Sequence, residues 1–430
     1  MAYLPAVLSL LLLAAHALRF GELGLVAAWL AVGGLLGVRQ PWARRAVQGL
    51  LLLGMAFWTN VAADLVRLRL AMHVPWVRLA AILAGVALAC GLAAWALEAR
   101  KVRRRAAGGP AWPGALAFFL CLGLVLMARA KSPVAVLLVD RFWPGWGWLE
   151  ALALAAYAGW LCQAVLDPAR SARWRLRVWG LFSLVFFSQL GLGLAGADQL
   201  LMTGRLHLPV PALIVAGPLF RGHGLFMLIL FASTVALAGP AWCSWLCYVG
   251  AWDGLAASGR KPAGPLPAWR WPLRLALLGL AVAAALALRA LGADTLTAVW
   301  IAAGFGLLGV GIMVFVSRRL GVMAHCSAWC PIGPLGNLLG RLNPFRVRMT
   351  GDCTKCGACA RACRYDALTP ADIERGRPGL SCTLCGDCVG ACRHTAMEYR
   401  FPGLTPAASR ALFLALVAGL HAAFLGVARI

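Results

Sequence analysis

The sequence predicts a mostly α fold, a polytopic membrane helix bundle of about eleven spans with one small polar α+β module near the C-terminal end. Three observations predict it. Of the 430 residues, 62% are hydrophobic and only 13% charged, with a mean hydropathy of +0.80, too apolar for a soluble chain of this length. Apolar runs of spanning length recur along almost the whole chain. The one long polar interruption, 346–401, is dense in cysteine. A net charge of +25 could point to nucleic acid. In so apolar a chain, basic connections on the cytoplasmic face account for it, and no nucleic-acid partner is expected.

The apolar runs fall near 2–18, 22–38, 47–66, 77–98, 112–129, 147–166, 178–197, 223–242, 272–291, 296–316 and 406–427. Basic residues gather in alternate connections. The groups are Arg39, Arg44 and Arg45; Arg100, Lys101, Arg103, Arg104 and Arg105; Arg170, Arg173, Arg175 and Arg177; Arg260, Lys261, Arg270 and Arg274; and Arg318 and Arg319. Two spans separate each group from the next, so all share one side, the cytoplasmic one by the positive-inside rule. The first run could instead be a signal peptide cleaved near Ala15-His16-Ala17, but it lacks the basic n-region. Residues 1–168 form a six-span region with no recognisable chemistry. Lone histidines there, and His421 in the last span, read as packed residues rather than haem ligands. Cys90, Cys121 and Cys162, each alone in a span, read as small packing residues.

Residues 169–345 form a membrane core carrying two C-x3-C elements. One is Cys243-Ser-Trp-Leu-Cys247-Tyr-Val-Gly250 and the other Cys326-Ser-Ala-Trp-Cys330-Pro-Ile-Gly333. They are 83 residues apart at every matched position, including Ser244/Ser327 and Leu255/Leu338. On a helix, cysteines at i and i+4 share a face, so the four thiols Cys243, Cys247, Cys326 and Cys330 suffice for one metal or redox site. Packing by small residues, or a dithiol pair cycling through disulfide, are the other readings of these elements.

The module, 346–401, holds Cys353-x2-Cys356-x2-Cys359-x3-Cys363 and, after an 18-residue gap, Cys382-x2-Cys385-x2-Cys388-x3-Cys392. This is the bacterial spacing for cubane ligation, in which the fourth cysteine of each run serves the other cluster. Two [4Fe–4S] clusters are therefore expected, one on Cys353, Cys356, Cys359 and Cys392, the other on Cys382, Cys385, Cys388 and Cys363. The two runs are an internal duplication, matching also at Thr354/Thr383, Gly357/Gly386, Ala362/Ala391 and Arg364/Arg393. Zinc normally takes separated ligand pairs, and a disulfide framework needs an oxidising compartment. Arg364 and Arg393 stand where such ferredoxins often carry proline. Residues 405–430 supply a last membrane helix.

A duplicated C-x3-C on membrane helices followed by a cytoplasmic two-cluster ferredoxin-like module resembles the membrane polyferredoxins of the NapH/NosR/MauN type. The resemblance spans about 175–400, and Tyr248 departs from the family's proline. It implies a bacterial inner-membrane protein moving electrons between the quinone pool and a redox partner protein, or into the maturation of a metal centre in a respiratory enzyme. A structural anchor for a soluble redox enzyme is a further reading. Gln189, a buried amide inside a span, and His207, in a proline-rich connection with Arg205, Pro209, Pro211, Arg221 and His223, are candidates for a quinol-facing edge. That connection also reads as an ordinary surface loop. No hydrolase constellation, phosphate loop or dinucleotide fingerprint is present.

Overall fold

The computed structural model describes residues 3–99, 110–201, 208–260 and 262–427. His207, Arg205, Lys261 and the basic group Arg100–Arg105 lie outside them. The chain divides into two compact units, Met1–Gln163 with Ala418–Ala428, and Ala164–Val417.

The first unit contains α1 (Leu4–Arg19), α2 (Leu23–Leu35), α3 (Pro41–Ala71), α4 (Val77–Ala96), α5 (Trp112–Lys131) and most of α6 (Gly147–Leu166). Helices α1, α3 and α4 pack together around Leu13, Trp58, Ala87 and Cys90. Cys90, Cys121 and Cys162 are fully buried. Nine helices among the described residues are long and apolar enough to cross a membrane, against the eleven spans expected. The difference lies in α1 and α2, which are helical for 16 and 13 residues. At 1.5 Å per residue they reach about 24 and about 20 Å, short of a hydrocarbon core of about 30 Å. The glycines Gly33, Gly34 and Gly37 thin the end of the second run, where helix gives way to turn. Removing a pair of spans leaves the alternation of the basic connections unchanged.

The second unit begins with α7 (Pro168–Leu194), whose start is set by Pro168 at the first turn and by the Asp167 carboxylate accepting from Ala169 N–H at 3.0 Å. Then come the short α8 (Leu213–Arg221), α9 (Phe226–Ala238), α10 (Tyr248–Ser258), α11 (Arg270–Ala290) and α12 (Thr295–Ile312), and beyond them α13 (Ile332–Leu339). Helix α12 is capped by Asp294, which accepts from Leu296 and Thr297 N–H. It presents Leu296, Trp300, Leu307 and Leu308 outward, a surface suited to lipid rather than water.

The module is α+β. Strands β1 (Arg346–Met349) and β2 (Met397–Arg400) pair antiparallel with Val347 opposite Tyr399, and both residues are buried. Three one-turn helices lie between them, α14 (Ala358–Ala362), α15 (Pro370–Glu374) and α16 (Asp387–Ala391). The last helix, α17 (Pro406–Val427), packs Phe413 on Phe345 and Tyr399 at centroid distances of 5.3 and 5.0 Å.

Two arginines expected among the exposed basic charges instead fasten the module to the membrane helices. Arg175 on α7 is 3% exposed and meets the Asp387 carboxylate at 2.6 and 3.3 Å. Arg270 at the start of α11 pairs with Asp366 and also donates to its carbonyl at 2.8 Å. Breaking a buried pair strands the surviving charge, at a cost of about 3–5 kcal/mol. Asp387→Asn should therefore lower the unfolding temperature of the detergent-solubilised protein more than Arg175→Met with Asp387→Asn does. Additive losses in that double-mutant cycle would remove the pair from this role.

Candidate iron–sulfur centres

The module's duplication recurs in its backbone. Lys355 and Leu384, Gly357 and Gly386, and Asp366 and Thr395 stand 29 residues apart, and all six have positive φ. Four of these are not glycine, and left-handed conformations at such residues persist only where the surroundings enforce them. Lys355 with Gly357, and Leu384 with Gly386, coil each loop tightly among its first three cysteines, and Asp366 and Thr395 turn the chain after the fourth. Gly386 has no alternative, because a Cβ there would lie 2.6 Å from the Tyr399 hydroxyl, which itself donates to the Leu384 carbonyl at 2.7 Å.

The eight thiols gather in two sets, each drawing one cysteine from the other run. Cys353, Cys356, Cys359 and Cys392 line one small cavity with Ile373, His394 and Met397. Cys363 interacts electrostatically with Cys382 and Cys385, and Cys388 with all three. The sets differ in their access to water. Cys356 is exposed, whereas burial pushes Cys363, Cys382 and Cys385 up to about 12. Free thiols so buried stay protonated at neutral pH and become thiolates by ligating metal.

The C-x3-C elements are not stretches of regular α-helix. In each, the backbone makes a π turn, Trp242–Leu246 and His325–Trp329. Cys247 N–H reaches back to the Trp242 carbonyl at 2.9 Å, and Cys330 N–H to the His325 carbonyl at 2.8 Å. The second cysteine then turns extended and the chain starts a new helix, α10 or α13. A π turn at a functional position is a recurrent feature of helices. The wider turn and the break replace the shared α-helical face that the i, i+4 spacing implies.

The copies also cross over. Helix α13 of the second packs on the first π turn, and α10 of the first on the second. A Cβ on Gly336 would lie 3.7 Å from Cys243 Sγ, so that thiol faces the other copy. Cys243, Cys247, Cys326 and Cys330 all interact electrostatically, and burial raises Cys247, to about 12, as well as Cys326 and Cys330. The equivalent glycines accept close neighbours. A Cβ on Gly250 would stand 2.8 Å from the Trp179 ring, and one on Gly333 1.9 Å from Arg274 Nη2.

Buried polar atoms without a protein partner concentrate around these four thiols. They include Asp253 Oδ1, both His325 ring nitrogens, Ser327 Oγ, the indole nitrogen of Trp329, and Arg274 Nε and Nη1. His325 is held down at about 4 by burial, hence neutral. Among the described residues no three His, Cys, Asp or Glu side chains converge as they would around a single metal ion. That holds equally for the eight module cysteines. Four half-buried thiols beside unsatisfied polar groups supply donors that a thiolate-held group would use.

The module sits directly on this site. Tyr365, two residues beyond Cys363, donates to the Cys243 carbonyl at 3.0 Å. Ser244 Oγ donates to the carbonyl of Thr383, beside Cys382, at 3.1 Å. Arg364 donates to the carbonyls of Ala257 and, at 2.8 Å, Gly321, while Met323 N–H donates to the Arg364 carbonyl at 2.8 Å. Arg364 thus anchors the module in the position where a proline was the expected residue. Sequence reasoning found its departure without its use, and gave no weight to Tyr365, Asp366 or Asp387. Gln189 is buried in α7, fourteen residues beyond Arg175 and about 21 Å along the helix from it.

Comparison with known proteins places two family models on the chain. One, described as a 4Fe-4S binding domain, matches 220–264 and 302–350, the segments bearing the two C-x3-C elements. Another, also a 4Fe-4S binding domain, matches 347–369, which holds Cys353, Cys356, Cys359 and Cys363. No curated protein and no solved structure matches the chain. The 4Fe–4S ferredoxin-type domains and the apolar helices together fit a membrane polyferredoxin.

Proposed function

We propose that this protein is a membrane electron-transfer subunit of the NapH/NosR/MauN type, linking the quinone pool to a redox partner protein. The observation that carries the reading is the contiguity of three four-cysteine sets, joined through Tyr365, Ser244 and Thr383. Cys243, Cys247, Cys326 and Cys330 lie at the ends of membrane helices. Cys363, Cys382, Cys385 and Cys388 lie against them. Cys353, Cys356, Cys359 and Cys392 come last, with Cys356 open to solvent. Bound [4Fe–4S] clusters would supply one-electron transfer. The chain's own residues hold the sets in series, keep water from the inner two and expose the outermost to a partner. Gln189, deep in α7, is the residue we assign to the quinone side. The basic connections support a module on the cytoplasmic face of a bacterial inner membrane.

Anaerobically purified Cys247→Ser/Cys330→Ser protein should keep about eight irons, two cubanes of four, and lose quinol-linked reduction of the module. Wild type should exceed that iron content by about four. Iron and sulfide analysis with EPR checks this, and wild-type rates in the double variant would make the C-x3-C elements packing motifs.

A cysteine introduced at Arg375, exposed between the two runs, should react with a membrane-impermeant maleimide in inside-out vesicles and stay unlabelled in spheroplasts. The reverse pattern would place the module outside.

A further inference from the structure

We propose that Arg274 is the fixed counter-charge of the redox centre held by Cys243, Cys247, Cys326 and Cys330, and that it raises that centre's reduction potential. The proposal rests on reading those four thiols as a redox centre, and goes beyond it by naming the residue that tunes it.

Arg274 lies one turn beyond Arg270 on α11. It is 2% exposed, so its guanidinium does not reach water. Its Nε and Nη1 have no hydrogen-bond partner in the protein. The Trp271 ring lies 4.7 Å from it, and a ring face is a weak substitute for an anion. The acidic groups it interacts with are the thiols of Cys330, Cys243 and Cys326, while Arg270 opposes it. A cation this buried costs several kcal/mol of desolvation unless an anion offsets it. Four thiolates carrying a cluster provide that anion.

The backbone is shaped for this contact. Gly333, seven residues past Cys326, leaves the space that Arg274 Nη2 occupies. The duplication supplies a control inside the molecule. In the other copy, Gly250 leaves space for the ring of Trp179 on α7, and the Trp179 indole N–H is already satisfied by the Cys247 carbonyl at 2.9 Å. Trp179 lies one turn beyond Arg175 as Arg274 lies one turn beyond Arg270. One half therefore brings a neutral, satisfied ring to its glycine, and the other an unsatisfied cation. The charge is a property of the site, not of the repeat.

A group bound by these thiols would gain one electron and one negative charge from an external reductant on reduction, with Arg274 remaining protonated throughout. A cation fixed beside it favours the reduced form. The test is an EPR-monitored redox titration of the full-length protein, prepared anaerobically in detergent, with Cys247→Ser/Cys330→Ser identifying which signal belongs to this centre. Arg274→Gln should shift that midpoint negative by the equivalent of at least a tenfold change in the redox equilibrium, about 59 mV for one electron. Arg274→Lys should fall between it and wild type, and the two module centres should not move. If Arg274→Gln fails to assemble the centre while Arg274→Lys assembles it, the charge requirement is upheld; failure of both makes the role one of shape and overturns the proposal. A wild-type protein with no such signal refutes the underlying reading and this proposal with it. A wild-type signal whose midpoint Arg274→Gln leaves in place refutes the counter-charge alone.

Discussion

Charge placed out of water at the ends of membrane helices governs the second unit. Arg175 and Arg270 give up hydration to meet Asp387 and Asp366, and Arg274 gives it up to face thiols. Each arrangement stands only while both members are present, since a lone buried ion costs more than the pair returns. The module therefore cannot drift from the helices without stranding two cations, and Arg364 adds a third anchor at the same seam by donating to the neutral carbonyls of Ala257 and Gly321. Such anchoring suits a relay of single electrons. It requires centres at fixed separation, and hydrogen bonds such as Tyr365 to Cys243 hold one ligand run against the next.

The sequence revealed the architecture where a repeat or a composition carried it. The 29-residue and 83-residue offsets are visible as letters, and each reappears as backbone, in the paired left-handed residues of the module and the paired π turns of the membrane core. What the letters did not show is which hydrogen bond closes each turn. A C-x3-C string is equally compatible with an α turn, and only the tertiary setting sends Cys247 N–H to the Trp242 carbonyl instead of that of Cys243. Charge was similarly ambiguous. Counting arginines by connection treats Arg173 and Arg175 alike, yet one is left outward and the other is buried against Asp387. Run length overstated α2, because hydropathy does not register that Gly33 and Gly34 weaken a helix. His207 falls outside the described residues, and Gln189 is placed only as a buried residue of α7.

The two C-x3-C copies have diverged in ways that compensate one another. Pro331 follows Cys330 and presets the backbone for the start of α13. At the matching position Tyr248 cannot do so, and instead stacks on Phe186 of α7, centroids 3.8 Å apart and planes 13° from parallel, with Phe187 edge-on. Packing thus fixes in one copy what a ring constraint fixes in the other. The first copy, bound to α7 through Tyr248 and Trp179, also meets Arg175 at its Ser244 carbonyl, 3.2 Å away, but that arginine is already paired with Asp387. The second, bound to α11, brings His325 and meets Arg274 of that helix, while its Cys326 N–H donates to Asp253 of α10 at 2.9 Å. A pseudo-symmetric pair of elements therefore encloses a site whose electrostatics are one-sided. From α11 the thiols face a cation with no carboxylate partner, and from α7 one already paired with Asp387, so that polarity is written in the helices that pack on the repeats, not in the cysteines they share.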